Sequence, residues 1–410
     1  MLRKHMKRPP LLNAALRWFL LGMIIANTAS QMVFAFLPIY LTKLGANVAE
    51  VGLVFSLASL VPLVLQIFGG WLSDSLGRLR TIALGAVAAS LGYIGFVFAP
   101  SWEWMIAALC LEYISGALVG PSFSAFIAEQ SSEETRGRVY GIVSGIYLVV
   151  GVIGPILGGF LAARYSFQLL MAVAAALYIG AAVLRVWMAT AERFTGSVKM
   201  EALSMASLRG KIGAISAFLL SGGVITWVFI TDGVRDVAFR LSHEMEPLYF
   251  SQVGEMSIEQ IGWLSAIFST AVMLISLPAG WLTDRQGERL TIAAGFFLQF
   301  VGLSIFLFTG SFWGFALAVS VSGLGEGLLA PAFNSFVSKI VPDNMRGMAF
   351  GLFQTSLGVI SLPAPWLGGQ LWQRFGPRTP FAITALALLV CIVPVWAKFR
   401  PRERAEMQLT

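Results

Sequence analysis

Residues 69–80 read GGWLSDSLGRLR, and residues 279–289 read AGWLTDRQGER. The two polar phrases stand 210 residues apart, each between long apolar stretches. The overlay extends outward from them. At the same shift, SFSAFIAEQSSEETRGRVYG (122–141) falls on AFNSFVSKIVPDNMRGMAFG (332–351), and GPILGGFLAARY (154–165) falls on APWLGGQLWQRF (364–375). At a shift of 209, LPIYLTKLG (37–45) meets EPLYFSQVG (246–254). The chain is therefore two copies of one unit, and such duplication implies two bundles with a solute path between them.

Composition says what surrounds those units. Of 410 residues, 57% are hydrophobic and 12% charged, and mean hydropathy is +0.79. A soluble domain is near half apolar and one quarter charged, so lipid must solvate much of this chain. A bilayer core of roughly 30 Å needs about 20 mainly apolar residues per crossing. Twelve runs qualify, near 17–41, 50–72, 81–99, 103–128, 139–163, 167–189, 213–236, 258–282, 291–309, 312–338, 348–372 and 379–397. Backbone groups in lipid must be paired within the segment, so the runs are predicted to be helices. The expected fold is an all-α membrane protein of twelve transmembrane helices in two pseudo-symmetric six-helix bundles. Residues 1–189 form the first bundle, 190–211 a cytoplasmic linker and 212–410 the second bundle.

Lys and Arg set the expected orientation. With the N-terminus inside, 22 of the 28 basic residues fall in cytoplasmic ends and loops. Both termini are then cytoplasmic, in a plasma (inner) membrane. The opening MLRKHMKRPP precedes an apolar stretch too long for a signal peptide, so a retained first helix is expected. The net charge of +7 is dispersed over short loops rather than gathered in a patch, which argues against nucleic acid. Cys110 and Cys391 each stand alone inside a predicted span and read as packing residues. With only His5 and His243, a histidine metal cluster is excluded.

The doubled loop resembles the signature between helices 2 and 3 of the major facilitator superfamily, G-x-x-x-D-R-x-G-R-R. Gly70, Asp74, Gly77 and Arg78 match it, with Arg80 one position past the final basic residue and Ser75 where a basic residue is usual; Gly280, Asp284, Arg285, Gly287 and Arg289 repeat it, with Glu288 departing. Gly70 is expected to allow a close approach and Gly77 a tight turn. Glu129 and Arg136, spaced E-x6-R in the next loop of the same face, offer partners for Asp74 and Arg78; Arg346 repeats Arg136. The resemblance implies that these charges latch the cytoplasmic side of the outward-facing state; the alternative is a solvated, topogenic turn. The fifth span resembles the drug/proton antiporter branch of the family. Gly141, Gly154, Pro155, Gly158 and Gly159 match G-x8-G-x3-G-P-x2-G-G, with Val150 at one glycine position. Proline bends a helix and glycines admit a neighbour, so a packing kink and an antiporter hallmark both remain open.

Ionisable groups at bilayer depth are costly and mark function. Glu112 lies ten residues after Trp102, roughly 15 Å down the fourth span. It stands where the antiporter branch carries arginine in R-x-x-Q-G, and either carries the proton or recognises a cation. Glu326 in GLGEGLLAP is the second acid, one turn further along the repeat frame. No GK[ST] follows those glycines, so no nucleotide loop is present and a proton gradient is the expected driving force, with no cofactor. The seventh span ends in TDGVRDVAFRLSHEMEPLYF (231–250), whose Asp232, Arg235, Asp236, Arg240 and His243 share one helical face. An insertion of about one turn relative to the first span would align Asp232 with Asn27, placing Asp232 at the cavity and Arg235 onward toward the outer mouth. Asn27, Gln31, Tyr147, Asn334 and Gln354 are further candidates for the cavity wall.

Secondary active transport of a small organic solute by rocking bundles is the expected function, with proton-coupled efflux preferred. Uptake by proton symport of a sugar or organic acid is the alternative. An intramembrane enzyme is remote, because no Ser-His-Asp or HExxH pattern occurs. A non-transporting scaffold is disfavoured by the two intact loops. The expected partners are a small-molecule substrate, protons and the lipid bilayer, without nucleic acid, and the chain is expected to be a monomer.

Overall fold

The computed structural model describes residues 11–191, 224–340 and 358–399, and they are almost wholly helical. The first half holds α1 (Ala14–Phe34), α2 (Leu37–Lys43), α3 (Val48–Ala58), α4 (Leu60–Leu76), α5 (Arg78–Phe98), α6 (Trp102–Gln130), α7 (Glu133–Arg164) and α8 (Phe167–Thr190). The second holds α9 (Val224–His243), α10 (Glu246–Gln252), α11 (Ile258–Gln286), α12 (Glu288–Phe308), α13 (Phe312–Ile340), α14 (Ala364–Phe375) and α15 (Thr379–Lys398). Arg346, Gln354 and the expected linker beyond Ala191 lie outside the described residues.

Among the described residues, nine helices are long and apolar enough to cross a bilayer, or ten if α1 and α2, bent by 50°, form one span. The other two expected spans are the seventh and eleventh. Helix α9 carries Asp232, Arg235, Asp236 and Arg240 and is too polar for that test, while α14 is the described end of the eleventh. One span expected to be a single helix is divided: span 1 bends between α1 and α2, where Pro38 enters the first turn of α2. Span 2 runs on through Ser59, whose backbone stays helical, so α3 and α4 make one crossing.

Local chemistry repeats with the sequence. Asn47 and Glu50 form a capping box at α3, and Ser257 with Gln260 forms another at the start of α11, 210 residues on. Each box satisfies two otherwise unpaired helix-end donors. Gly77 and Gly287 separate α4 from α5 and α11 from α12 with φ of 95° and 83°, a backbone that favours glycine. The tight turn expected at Gly77 is present. The expected close approach at Gly70 is not, since none of the described residues lies within contact of an added Cβ there. It occurs at Gly69, where a Cβ would stand 2.1 Å from the Ala117 carbonyl oxygen.

Packing completes the pseudo-symmetry. Within the first half α1 packs on α7 and α8, and α5 on α6 and α8; in the second, α9 packs on α14 and α15, and α12 on α13 and α15. The halves meet through α7 against α11 and α3 against α14, which are equivalent pairs. The face bearing the 69–80 and 279–289 loops is called the basic face below. At the opposite face one apolar core runs through both halves, including Met32, Phe36, Val51, Leu248 and Ile261. Toward the basic face each half keeps its own core: Leu16, Phe19, Phe126 and Val139 in the first, Ile292, Phe296, Phe336 and Phe399 in the second.

Candidate functional site: a cavity between the halves

Small residues make the seam at the opposite face. A Cβ on Gly52 would lie 2.1 Å from the Pro365 carbonyl oxygen, one on Gly369 2.6 Å from Ala49 Cα, and one on Gly262 2.6 Å from the Pro155 carbonyl oxygen. The Trp366 amide donates to Ser56 Oγ at 3.1 Å, and Gln373 Nε2 donates to Asn47 Oδ1 at 2.6 Å. These contacts hold the halves backbone to backbone, a geometry only small side chains permit. The helix-5 motif works in this seam. Helix α7 continues through Pro155. A Cβ on Gly154 would stand 2.4 Å from Gln31 Cβ, one on Gly158 2.3 Å from the Met32 carbonyl oxygen, and one on Gly159 3.2 Å from the Ile258 carbonyl oxygen. The motif thus packs α7 against α1 on one side and α11 on the other.

Inside the seam a cavity of about 630 Å³ opens between the halves. The first half supplies Ser59, Pro62 and Leu63 at the α3/α4 junction, and Tyr113 to Ser124 along α6; the second supplies Arg240 and Gly358. Gly116 and Gly120 leave the α6 wall open. Ser59 and the Tyr113-Gly116-Gly120 stripe were absent from the expected wall, although the glycine spacing of four was visible. Asn27, Gln31 and Tyr147 lie outside this cavity, on α1 and α7. Asn27 Nδ2 donates to the Met23 carbonyl, and Tyr147 is 40% exposed with its ring edge-on to Phe123. Asn334 is exposed on α13 at the repeat position of Ser124, which does line the cavity.

The charged stretch of α9 is helical to His243, just as α1 is helical to Phe34, and α10 follows as α2 does. The shift of 209 therefore runs unbroken, and the expected extra turn is absent. Asp236, not Asp232, falls at Asn27. The expected placement of Asp232 at the cavity and of the later charges at the outer mouth is corrected accordingly. Asp232 pairs with Arg235 at 3.1 Å within the second half, and Arg235 also reaches Glu326 at 3.8 Å. Arg240, held by Asp236 at 3.1 Å, is the charged residue of this stretch that lines the cavity. Gln299 Nε2 donates to Glu326 Oε2 at 2.5 Å. Glu112 lies one turn before Gly116 on α6, near the buried Tyr93, whose hydroxyl donates to Ser30 Oγ at 2.9 Å. Among the described residues Glu112 forms no ion pair.

At the basic face the loop charges close within each half. Arg78 pairs with Asp74 and, at 2.9 Å, with Glu129. The expected pairing of Arg78 with Glu129 is present, whereas Arg136, offered as a partner for Asp74, donates instead to the Ala128 carbonyl at 3.2 Å. In the second half Glu288 pairs with Lys339 and accepts from Ser335 Oγ at 2.8 Å. Glu288 and Lys339 stand at the repeat positions of Arg78 and Glu129: the same clasp with its charges reversed. Among the described residues Asp284 has Glu288 where Asp74 has Arg78, and Arg285 stacks over Trp281. Arg185, expected at a helix end, is 7% exposed against Gly22, a burial its sequence position did not announce.

The profile of the Major Facilitator Superfamily matches residues 19–235 and 245–409. This chain belongs to that superfamily of transporters. Over 405 residues it is 26% identical to the multi-drug resistance efflux pump PmrA homolog of Lactococcus lactis, covering 97% of each chain. It is 26% identical to a Na(+), Li(+), K(+)/H(+) antiporter of Planococcus maritimus, covering 94% of this chain and 96% of that one. To the multidrug resistance protein MdtG of Citrobacter koseri it is 23% identical, covering 95% of both. Among solved structures, the peptide transporter POT superposes with a TM-score of 0.74 at 14% identity, over 96% of this chain and 94% of that one. At such identity the likeness speaks for the fold alone.

Proposed function

We propose that this chain exports small organic solutes in exchange for protons, with its basic face cytoplasmic in the inner membrane and a monomer as the working unit. The observation that carries the reading is the pairing of one shared core and small-residue seam at the opposite face with separate cores and a central cavity toward the basic face. That is one of the two discrete arrangements of rigid halves that alternating access needs. The basic excess on the loop face supports its cytoplasmic placement. Overall resemblance to efflux pumps and antiporters, together with the helix-5 glycines, supports export. Glu112 is the acid beside the cavity wall, and we assign it to meeting a cationic solute or surrendering a proton in exchange. Asp232 and Glu326 supply acids from the second half. The clasps Asp74–Arg78–Glu129 and Glu288–Lys339 stiffen the loop ends, with Gly70, Gly77, Arg136, Asp284 and Arg285 completing the gating loops.

The test is flux in liposomes carrying the full chain, with ethidium and tetraphenylphosphonium as probes and an imposed pH gradient. Each probe is expected to move opposite to the protons and to stop when nigericin collapses the gradient. Movement in the same direction as the protons would establish symport instead.

A further inference from the structure

The cavity between the halves carries one charge that the proposed exchange leaves unused. Among the described residues Arg240 is the only charged side chain in its lining. Its Nε donates to Asp236 Oδ2 at 3.1 Å. Among the described residues its two terminal nitrogens have no hydrogen-bond partner, and the side chain is 40% exposed. Arg240 therefore presents the open end of a guanidinium fork to the cavity. That end matches a planar carboxylate, which accepts two parallel N–H bonds from it.

The duplication supplies an internal control. At the shift of 209, Asp236 and Arg240 fall on Asn27 and Gln31. Those amides occupy the same places in the first half: Asn27 donates to the Met23 carbonyl at 2.9 Å, and Gln31 packs against Gly154. Helix packing at this depth is thus satisfied without charge. A charged pair in place of two amides is costly in a membrane and marks function. Tyr113 departs from its repeat partner in the same way. At the shift of 210 it falls on Gly323, where a Cβ would stand 2.7 Å from the Phe268 carbonyl oxygen.

We infer that Arg240 and Tyr113 form a carboxylate subsite in the central cavity, and that the solute is a zwitterion with a carboxylate at one end and a cation at the other. The inference deepens the proposed export by naming its solute class. It rests on that reading for movement across the membrane, but not for binding. Charge balance requires the second charge. Arg240 is already neutralised by Asp236, so a plain carboxylate arriving here would leave two anions on one guanidinium, which is costly away from water. A solute with its own cation keeps the complex neutral. Glu112 and Glu244 lie within electrostatic reach of Tyr113, so that cation meets acids beside the same wall. The Tyr113 hydroxyl donates to the bound carboxylate, Ser59 and Ser124 add further hydroxyls, and Leu63 and Pro121 take the apolar body. At about 630 Å³ the cavity matches pockets that hold drug-sized ligands, roughly 300–1,000 Å³.

The test uses rhodamine B, a zwitterion, and its ethyl ester, which keeps the ring system and the cation but lacks the carboxylate. Binding to the purified full chain is read by fluorescence anisotropy in dodecyl maltoside, with no gradient. The native chain is expected to hold the free acid at least roughly ten-fold more tightly than the ester, because a site built for a polar group rejects the analogue without it. In Arg240→Gln, which places the amide of the equivalent position, that ratio falls to about one; Arg240→Lys, with the charge but not the fork, restores part of it. Tyr113→Phe lowers the ratio while keeping Arg240, and decides the case in which Arg240→Gln does not fold. Asp236→Asn removes the competing acid and strengthens binding of pyrenebutyrate, a carboxylate without a cation, by roughly five-fold or more. A native ratio near one, or a ratio unmoved by these Arg240 and Tyr113 variants, overturns the subsite. Pyrenebutyrate held by the native chain as tightly as rhodamine B, or no gain in Asp236→Asn, overturns the zwitterion. Displacement of rhodamine B by an equal concentration of dihexanoyl phosphatidylcholine would give the site to a lipid headgroup and overturn the solute assignment. If the dyes bind with the expected selectivity but neither crosses a liposome membrane under a pH gradient, the export reading fails and the subsite stands. If both cross but bind alike, export stands and the subsite falls.

Discussion

Substituting Gly52 tests the seam most directly. A Cβ there would sit 2.1 Å from the Pro365 carbonyl oxygen and 2.7 Å from its carbonyl carbon. Unstrained contacts lie near 3.5–4.0 Å, so Gly52→Val must part α3 from α14 by more than about 1 Å. Both obstructing atoms are backbone, so no side chain can swing aside. Overpacking of this kind costs about 1–3 kcal/mol. That cost falls only on the arrangement in which the opposite face is sealed. The balance between the two arrangements therefore shifts toward opening at that face by roughly 5–150-fold. The assay is pulsed electron–electron distance measurement between spin labels on cysteines, in a background lacking Cys110 and Cys391. Ser101→Cys with Gly310→Cys reports the opposite face, and Ser75→Cys with Arg285→Cys reports the basic face. In Gly52→Val the first pair is expected to gain a longer population and the second a shorter one. Unaltered distributions in a folded variant would refute the reasoning that this glycine holds the seal.

Three other outcomes follow from the same contacts. Lys339→Ala removes the cation paired with Glu288, whose side chain is 4% exposed, leaving Ser335 as its side-chain partner among the described residues, and costs about 1–3 kcal/mol. Arg78→Ala breaks pairs whose acids are half exposed and costs no more than about 1 kcal/mol; thermal unfolding in detergent that ranks the two the other way contradicts the clasp. Gly287→Ala forces an L side chain into φ 83° and ψ 155°, a strain of about 1–3 kcal/mol, visible as a lower melting temperature than Gly280→Ala, where space is open. Glu112→Gln is expected to cut gradient-driven ethidium flux at least ten-fold, roughly 1.4 kcal/mol, while leaving the protein folded; unchanged flux and gradient dependence remove Glu112 from the exchange.

Much of this molecule was legible in one dimension. Lipid immersion follows from composition, because so few charges cannot cover so much apolar surface. Duplication follows from the overlay of the two loops, and the turns at Gly77 and Gly287 follow from a backbone that glycine alone adopts cheaply. Even the reversed clasp is written there, since Arg78 and Glu129 fall on Glu288 and Lys339 at the same shift as the loops. Helix phase and helix neighbours are different matters. Gly69 and Gly70 are adjacent letters, yet only Gly69 faces Ala117, since successive helical residues point about 100° apart. Arg78 and Glu129 pair as their signs and loops suggest, but Arg136, equally available to Asp74 by sign, turns to the Ala128 carbonyl instead. The charges of α9 show one shared face in sequence, while their division between an internal cluster and the central cavity depends on which helices lie to either side. Sequence determined the repeated units and their solvent; three-dimensional packing chose the partners, because contacts between helices far apart in the chain depend on rotation and depth that no local spacing specifies.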